Sequence, residues 1–475
     1  MNYFSRILRK FGTSSGDETY DRDRADSLTR VGKPKRDYEE YTPEKHETNL
    51  KHARYLVHNS GTTREIARDF VLYGIGDGIL PQIDSGSEEW DKRAAALWKI
   101  WARKPEIRGM NSMRELQNFA CTAIDTDGEL FLLLIRDPET QWPKVQAIEA
   151  QDVRDDPDRM GETRNGIVVD SYGRPTYYRV LTATGYIDIP ACSMIHIANY
   201  ERVTSYRGRA ELGHTVGPVS DVNEIEWLQK IKTRDEANIA LALTMNQPDE
   251  AGETFGFQNP AASGKKGGVQ RADPRSIAET LGGRVISLGI GEKAEVLNSN
   301  NPGANTMQFM KHLENNAVRG TGLPPEIVFD TANIGGAGIR LVVGKADRAF
   351  SLRQTLIIEK MMERLWLHFM TCFIACGLLP PPPRECIDWI GIADWLTTRR
   401  ITVDNGRDSA ATREDIKLGI MPIEDAFGAQ GLDPRVEIER RAKLYKRIKA
   451  MADKEKIPIS SLFGAFTEQQ PPAAP

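Results

Sequence analysis

The stretch GTGLPPEIVFDTANIGGAGIR, residues 320–340, holds five glycines, two prolines, two acids and one asparagine in 21 residues. Helix-like sequence flanks it on both sides. Loops this long and glycine-rich between helices usually have a task. A phosphate cradle would need GxxxxGK[ST], and no lysine followed by Ser or Thr stands at that spacing here. The stretch has no paired catalytic groups either. Leu323-Pro324-Pro325 stiffens its start, and Gly335–Gly338 would let its end move. It therefore reads as a moving connector between two helices, expected over 305–319 and 344–376.

Outward from that loop, the chain alternates helical and strand-like blocks. The spacing of Trp90, Ala94, Leu97, Trp98 and Trp101 predicts a helix over 88–104 with its tryptophans in the core. Asn59-Ser60-Gly61 splits two earlier helices, and Thr42-Pro43 starts the first. Short β-branched and aromatic runs between 129 and 198 predict strands, with a turn at Ser171–Pro175. Asp221 with Glu224 resembles a capping box opening a helix over 222–245. Residues 249–276 are polar and glycine-rich, and 283–298 read as a hairpin. Gly377 and Pro380 end the long helix, and Gly419, Pro422, Gly431 and Pro434 punctuate three short helices over 405–455.

Composition narrows the function classes. The 475 residues carry a net charge of -4, which argues against a polyanion binder as a whole. Five scattered cysteines suit a reducing compartment rather than a disulfide framework. Cys372 and Cys376 fall in an apolar helical run and read as buried packing. No run reaches the length of a membrane span, and the start MNYFSRILRKFG lacks a signal-peptide core. GTSSG at 12–16 fits the nucleophile-elbow pattern but sits in a polar tail. DTDGE at 125–129 lacks the remaining ligands of a calcium loop and reads as a turn entering a strand. His196 reads as a satisfied strand residue. No catalytic residue, metal ligand or cofactor is expected.

The order of these parts resembles the lambda-family portal proteins of tailed bacteriophages over residues 45–450. The resemblance is carried by RYLVHNSGTTREIARDFVLYGIGDGI, LWKIWARKPEIRGM, DTDGELFLLLIRD, DSYGRPTYYRV, RVTSYRGRAELG and EDIKLGIMPIEDAFGAQGLDPRVEIERRAKLYKRI. It implies an α+β portal-type fold: an N-terminal arm (1–44), an α/β wing (45–221), a stem helix (222–245), an inserted β-hairpin clip (246–304) and a second stem helix (305–319). A tunnel loop (320–343), a long wing helix (344–379), a connector (380–404), a helical crown (405–455) and a flexible tail (456–475) follow. It also implies a homo-oligomeric ring of about twelve subunits at one capsid vertex of the virion, assembled in the host cytoplasm. Double-stranded DNA would pass through the ring non-specifically during packaging and ejection. The partners implied are the terminase large subunit, the head–tail connector or adaptor, and the major capsid and scaffold proteins, with no membrane.

Site expectations follow the same resemblance. Asp330, Asn333, Gly335, Gly336, Ala337, Gly338, Arg340 and Lys345 would line the tunnel loop and channel. Arg340, Lys345 and Arg348 could touch phosphates, or pair with Asp330, Asp347 or Glu359. Lys265, Lys266 and Arg271 would serve the clip surface that meets terminase or adaptor. Arg440, Lys443 and Arg447 could face DNA in the crown, or form a solvated face. The family's run after the aspartate is kept here only at Asn333 and Arg340. Another phage head or adaptor protein, or a soluble α/β enzyme, are the alternatives.

Overall fold

The computed structural model describes residues 35–159, 161–238, 241–243, 278–280, 283–287, 304–329, 335–383, 386–398, 401 and 405–455. The chain divides into two compact units, one of residues 1–216 with 318–475 and one of 217–317. Helices dominate, with four small sheets of two or three strands, so the fold is α+β.

The first unit begins with α1 (Asp37–Glu40), α2 (Pro43–Asn59) and α3 (Gly61–Asp69). The Thr42 side chain accepts from the Lys45 amide with Pro43 in the first turn, as the sequence predicts. α3 runs on as a π-helical turn, Phe70–Ile75. After β1 (Leu80–Ile83) comes α4 (Glu88–Trp101), whose Trp90, Trp98 and Trp101 are buried. α5 (Met113–Thr126) starts on a full capping box, in which Ser112 and Glu115 satisfy each other's backbone amides.

β2 (Glu129–Arg136) lies between β3 (Pro143–Ile148) and β7 (Met194–Ala198), all antiparallel. β4 (Ile167–Val169), β5 (Pro175–Thr182) and β6 (Gly185–Pro190) make a second meander. The expected turn at 171–175 is there: Asp170 accepts from the amides of Tyr172 and Arg174. Phe131, Val153, Ile167, Tyr178 and Val180 form a small core of their own beside the main one.

The long helix differs from expectation in two ways. It begins eight residues early, as α9 (Gly336–Ile357), and it continues through a π-helical segment, Ile358–Met362, into α10 (Glu363–Ala375). Ala346, Phe350 and Ile357 are buried along α9 with Arg353 among them, and Met361, Leu365, Phe369 and Phe373 are buried beyond it. Trp366 and Phe369 stack at 5.2 Å between centroids, and both meet Trp98. The connector after α10 is not wholly irregular: β11 (Ala393–Leu396) pairs antiparallel with β1. Three helices close the unit, α11 (Asn405–Lys417), α12 (Ile423–Gly428) and α13 (Pro434–Glu455). Their breaks fall where glycine and proline predict, although the last spans 22 residues and is not short.

In the second unit, α6 (Val216–Asn238) begins six residues before the expected 222. A 3₁₀ turn, Glu211–Thr215, feeds straight into it, so Asp221 and Glu224 lie within the helix rather than at its start. Pro218 is tolerated because it occupies the first turn. α7 (Ala304–Gly320) is the other long helix. Between them, β10 (Gly283–Ser287) pairs antiparallel with β9 (Ala278–Thr280) and parallel with β8 (Leu241–Leu243). The turn expected near 289–291 lies outside the described residues.

Candidate functional site

The tunnel loop expected over 320–343 is the first candidate. Its entry is rigid. The Thr321 hydroxyl donates to the Val318 carbonyl at 2.7 Å, and Gly322 takes a left-handed φ of +81° that favours glycine. Leu323 and Pro325 are buried, and α8 (Pro325–Val328) follows immediately. Asp330 and Asn333 lie outside the described residues. Gly335 is extended and stands just before α9.

The span 320–343 expected to be a tunnel loop is therefore partly helix. Gly336, Ala337, Gly338 and Arg340 belong to the first turns of α9, and Lys345 lies on its third. Three glycines within four positions raise the cost of helix, yet tertiary packing of the following stripe overrides that local preference. One face of α9 buries Ala346, Phe350, Arg353 and Ile357. The opposite face exposes Leu341, Lys345, Arg348 and Leu352 at helical spacing. Lys345 and Arg348 thus form an exposed cationic step flanked by two leucines.

What holds that face in place is a buried ion pair. The Arg353 guanidinium donates to Asp125 Oδ1 at 2.8 Å and to the Cys121 carbonyl at 3.0 Å, and lies 4.3 Å from the Phe70 ring centroid. Burial pushes the Asp125 carboxyl up to about 6 despite that guanidinium. Gln354 adds a bond to the Gly74 carbonyl, in the π-helical turn after α3.

Asp125 opens the DTDGE motif, and each of its three acids meets a different arginine. Arg54 grips Asp127 through two bonds of 2.7 and 2.6 Å. Arg207 Nε donates to Glu129 Oε1 at 2.6 Å, while its other nitrogens reach the carbonyls of Ala150, Val153 and Asn165. His196 Nε2 lies 2.9 Å from Glu129 Oε2, and the Gly208 amide donates to the same oxygen. His46 Nε2 approaches Glu129 Oε1 at 3.2 Å without a well-aligned hydrogen bond. Burial alone would raise the Glu129 pKa, but Arg207 and the two histidines outweigh it and hold it well below the usual carboxylate range. Burial, reinforced by Arg207, keeps both histidines below their ordinary value, though Glu129 opposes it. The motif is thus a turn into β2, as its sequence suggests, and also a hub that fixes α2, α5, β7 and α9. The sequence offers no sign of those partners, the nearest being 67 residues away in the chain.

The remaining expected site residues scatter. Lys265, Lys266 and Arg271 lie outside the described residues. Arg440 pairs with Glu437 at 3.1 Å and Lys443 with Glu439 at 3.2 Å, both along α13. Arg447 is exposed on the same helix. Among the described residues no cluster of His, Cys, Asp and Glu could hold a metal, and no helix is long and apolar enough to cross a membrane.

The family described as "Phage portal protein, lambda family" matches residues 25–354, which is most of the chain. The chain belongs to the lambda family of phage portal proteins.

No curated protein matches it. Among solved structures, it is similar to a chain in the virion of a native gene transfer agent particle, at 12% identity, with 91% of this chain and 100% of that one covered and a TM-score of 0.41. It is also similar to a chain in the neck of the native particle computed with C12 symmetry, at 12% identity, with 80% and 94% covered and a TM-score of 0.42. Likenesses this distant carry no argument about this chain.

Proposed function

We propose that this portal-family chain assembles into a ring of about twelve subunits at a capsid vertex and conducts double-stranded DNA during packaging and ejection. The observation that carries the reading is the inserted second unit of residues 217–317, which α6 and α7 bound in the sequence. Both expose large apolar side chains: Trp227, Leu228 and Ile231 on α6, and Met307 and Phe309 on α7. Apolar patches left open on a monomer mark association surfaces. In this reading α6 and α7 are the stem, residues 246–304 the clip that meets the terminase large subunit and later the adaptor, and 405–455 the crown. The body of 45–221 with α9 and α10 is the wing, where capsid and scaffold proteins would be met.

A conduit must not grip its cargo. Each phosphate neutralised by Lys or Arg adds salt-dependent affinity, and a ring multiplies each contact. A chain of net charge -4 suits sliding. The exposed Lys345 and Arg348 step at the start of α9 would supply a few transient backbone contacts without base readout.

Negative-stain electron microscopy of the purified protein tests the reading. Rings with a central hole are expected; a protein that stays monomeric at all concentrations would sink it. Deletion of 334–338 would also rephase α9, so Lys345→Glu with Arg348→Glu is the cleaner channel test. Rings should still form, with packaging or DNA retention reduced.

A further inference from the structure

A groove of about 530 Å³ opens where β1, α4, the start of α5 and the start of α13 meet. Its floor is apolar, built by Ile79, Leu80, Trp98 and Val436. Leu80 and Val436 remain about half exposed. Lys99, Arg103 and Arg114 line its mouth, all exposed and none in a salt bridge among the described residues. Two carboxylates also line it, Asp77 and Asp433. Asp433 is occupied, since it accepts from the backbone amides of Arg435 and Val436 at the start of α13. The groove thus asks for an apolar knob that carries negative charge.

The same chain holds such a knob elsewhere. The turn between α11 and α12 is closed by Gly419 in the left-handed region, with the Ile420 amide donating to the Asp415 carbonyl at 2.9 Å. In this kind of helix ending, the residue after the glycine usually folds its side chain onto an apolar partner in the last helical turn. Here that partner position is Asp415, and Ile420 and Leu418 each stay 70% exposed. The backbone is fixed while its two apolar side chains are held outward. Glu414, Asp415, Glu424 and Asp425 surround them, against Arg413 and Lys417, and Lys417 is engaged with Glu414 at 3.0 Å.

We propose that the Leu418–Ile420 knob of one copy seats in the groove of a neighbouring copy, with the acids of the knob facing Lys99, Arg103 and Arg114. Knob and groove are different surfaces of the same chain, so the contact is head-to-tail. Such contacts propagate around a closed ring and cannot be exhausted by a pair. Opposite charge fixes register and excludes the reversed docking. The inference rests on the ring reading above and names one interface within it.

The test is directed cross-linking of assembled full-length protein. Leu80→Cys and Ile420→Cys are combined in one chain, with the exposed Cys192 replaced by serine. Mild oxidation should give a ladder of trimers and larger species on a non-reducing gel, with neither single variant exceeding a dimer. Rings in the microscope without a ladder would overturn the knob-in-groove contact and leave the ring reading intact, as would a cross-link from position 80 to any other segment. A protein that never assembles would overturn both. A second arm does not depend on the cysteines folding well. Arg103→Glu should raise the concentration for half-assembly on the order of 10-fold, and adding Glu424→Lys to the same chain should restore it. Equal assembly in all three proteins would also overturn the contact.

Discussion

The body that holds DTDGE and the C-terminal helices of 405–455, the proposed wing and crown, handle charge in opposite ways. Around DTDGE, carboxylates and arginines are withdrawn from water, and each acid has a guanidinium of its own. On α13, Arg440–Glu437 and Lys443–Glu439 are pairs within one helix with their cations exposed, and Glu439 also meets Lys92 of α4 at 3.3 Å. A buried pair adds little net stability over an apolar pair, but losing one partner is severe. An exposed pair is nearly dispensable. The wing is therefore a body whose arrangement is specified by internal polar contacts. The proposed crown buries Ala426, Phe427 and Ala452 but leaves Leu418 and Ile420 exposed.

The largest effect should come from breaking the α5–α9 clamp. Arg353→Met leaves Asp125 without its partner and should cost about 3–5 kcal/mol in chemical denaturation. Adding Asp125→Asn should recover a large part of that loss. If the double variant is no more stable than the single, the clamp does not act as a unit.

Next comes acid. His46 and His196 are held below their unfolded value, so the unfolded chain takes up protons first as pH falls through about 6.5. Their contribution is complete above that pH and is lost below it. Asp125, at about 6, works the other way: between pH 6 and 4 its protonation in the folded state returns some stability. Glu129 keeps its contribution to far lower pH. Asp69, also raised to about 6, and the raised Glu211 act with Asp125 against the histidines, whose own part is a fall in stability between pH 7 and 5. His46→Gln with His196→Gln should flatten that slope, measured as unfolding midpoint against pH.

Smaller still is the link between the two regions. Arg435 at the start of α13 reaches Asp84 at 2.8 Å and Asp91 at 3.1 Å. Its side chain is half exposed, so Arg435→Ala should cost about 1 kcal/mol or less. It should also speed proteolysis of the crown more than of the wing. Lys443→Ala should leave the melting temperature unchanged; a clear drop would mean that exposed pairs hold the crown after all.

These two regions also differ in how far they can be read in the sequence. Local signals serve the crown well: Gly419, Pro422, Gly431 and Pro434 mark its breaks, and all its ion pairs named here except those of Arg435 and Lys92 lie three or four residues apart. The wing's helices are equally legible from Trp90, Trp98, Trp101 and the break at Ser60. Its polar hub is not, because Arg353 stands 228 residues from Asp125 and Arg54 73 from Asp127. Nor is β11, which forms only because Leu396 finds Leu80 across the chain. At the candidate channel segment, local chemistry misleads. Gly335, Gly336 and Gly338 read as a loop, and burial of Ala346, Phe350 and Ile357 further along makes most of it helix.

The π-helical segment at 358–362 sets a rule about chain length. Along α9 the buried residues recur at spacings of four, three and four, from 346 to 357. Carried on at about 100° per residue, that stripe would turn Leu365, Phe369 and Phe373 well away from the core side. A π turn absorbs one extra residue, which brings α10 back into phase. The segment should then tolerate the loss of its extra residue. Removing one residue there would let it close as ordinary helix with everything after it in the same phase, so Trp366 and Phe369 would still meet Trp98. Adding one residue would instead swing everything after it by about 100°. Two relatives that differ by that one residue could share a core, the longer one carrying the π turn.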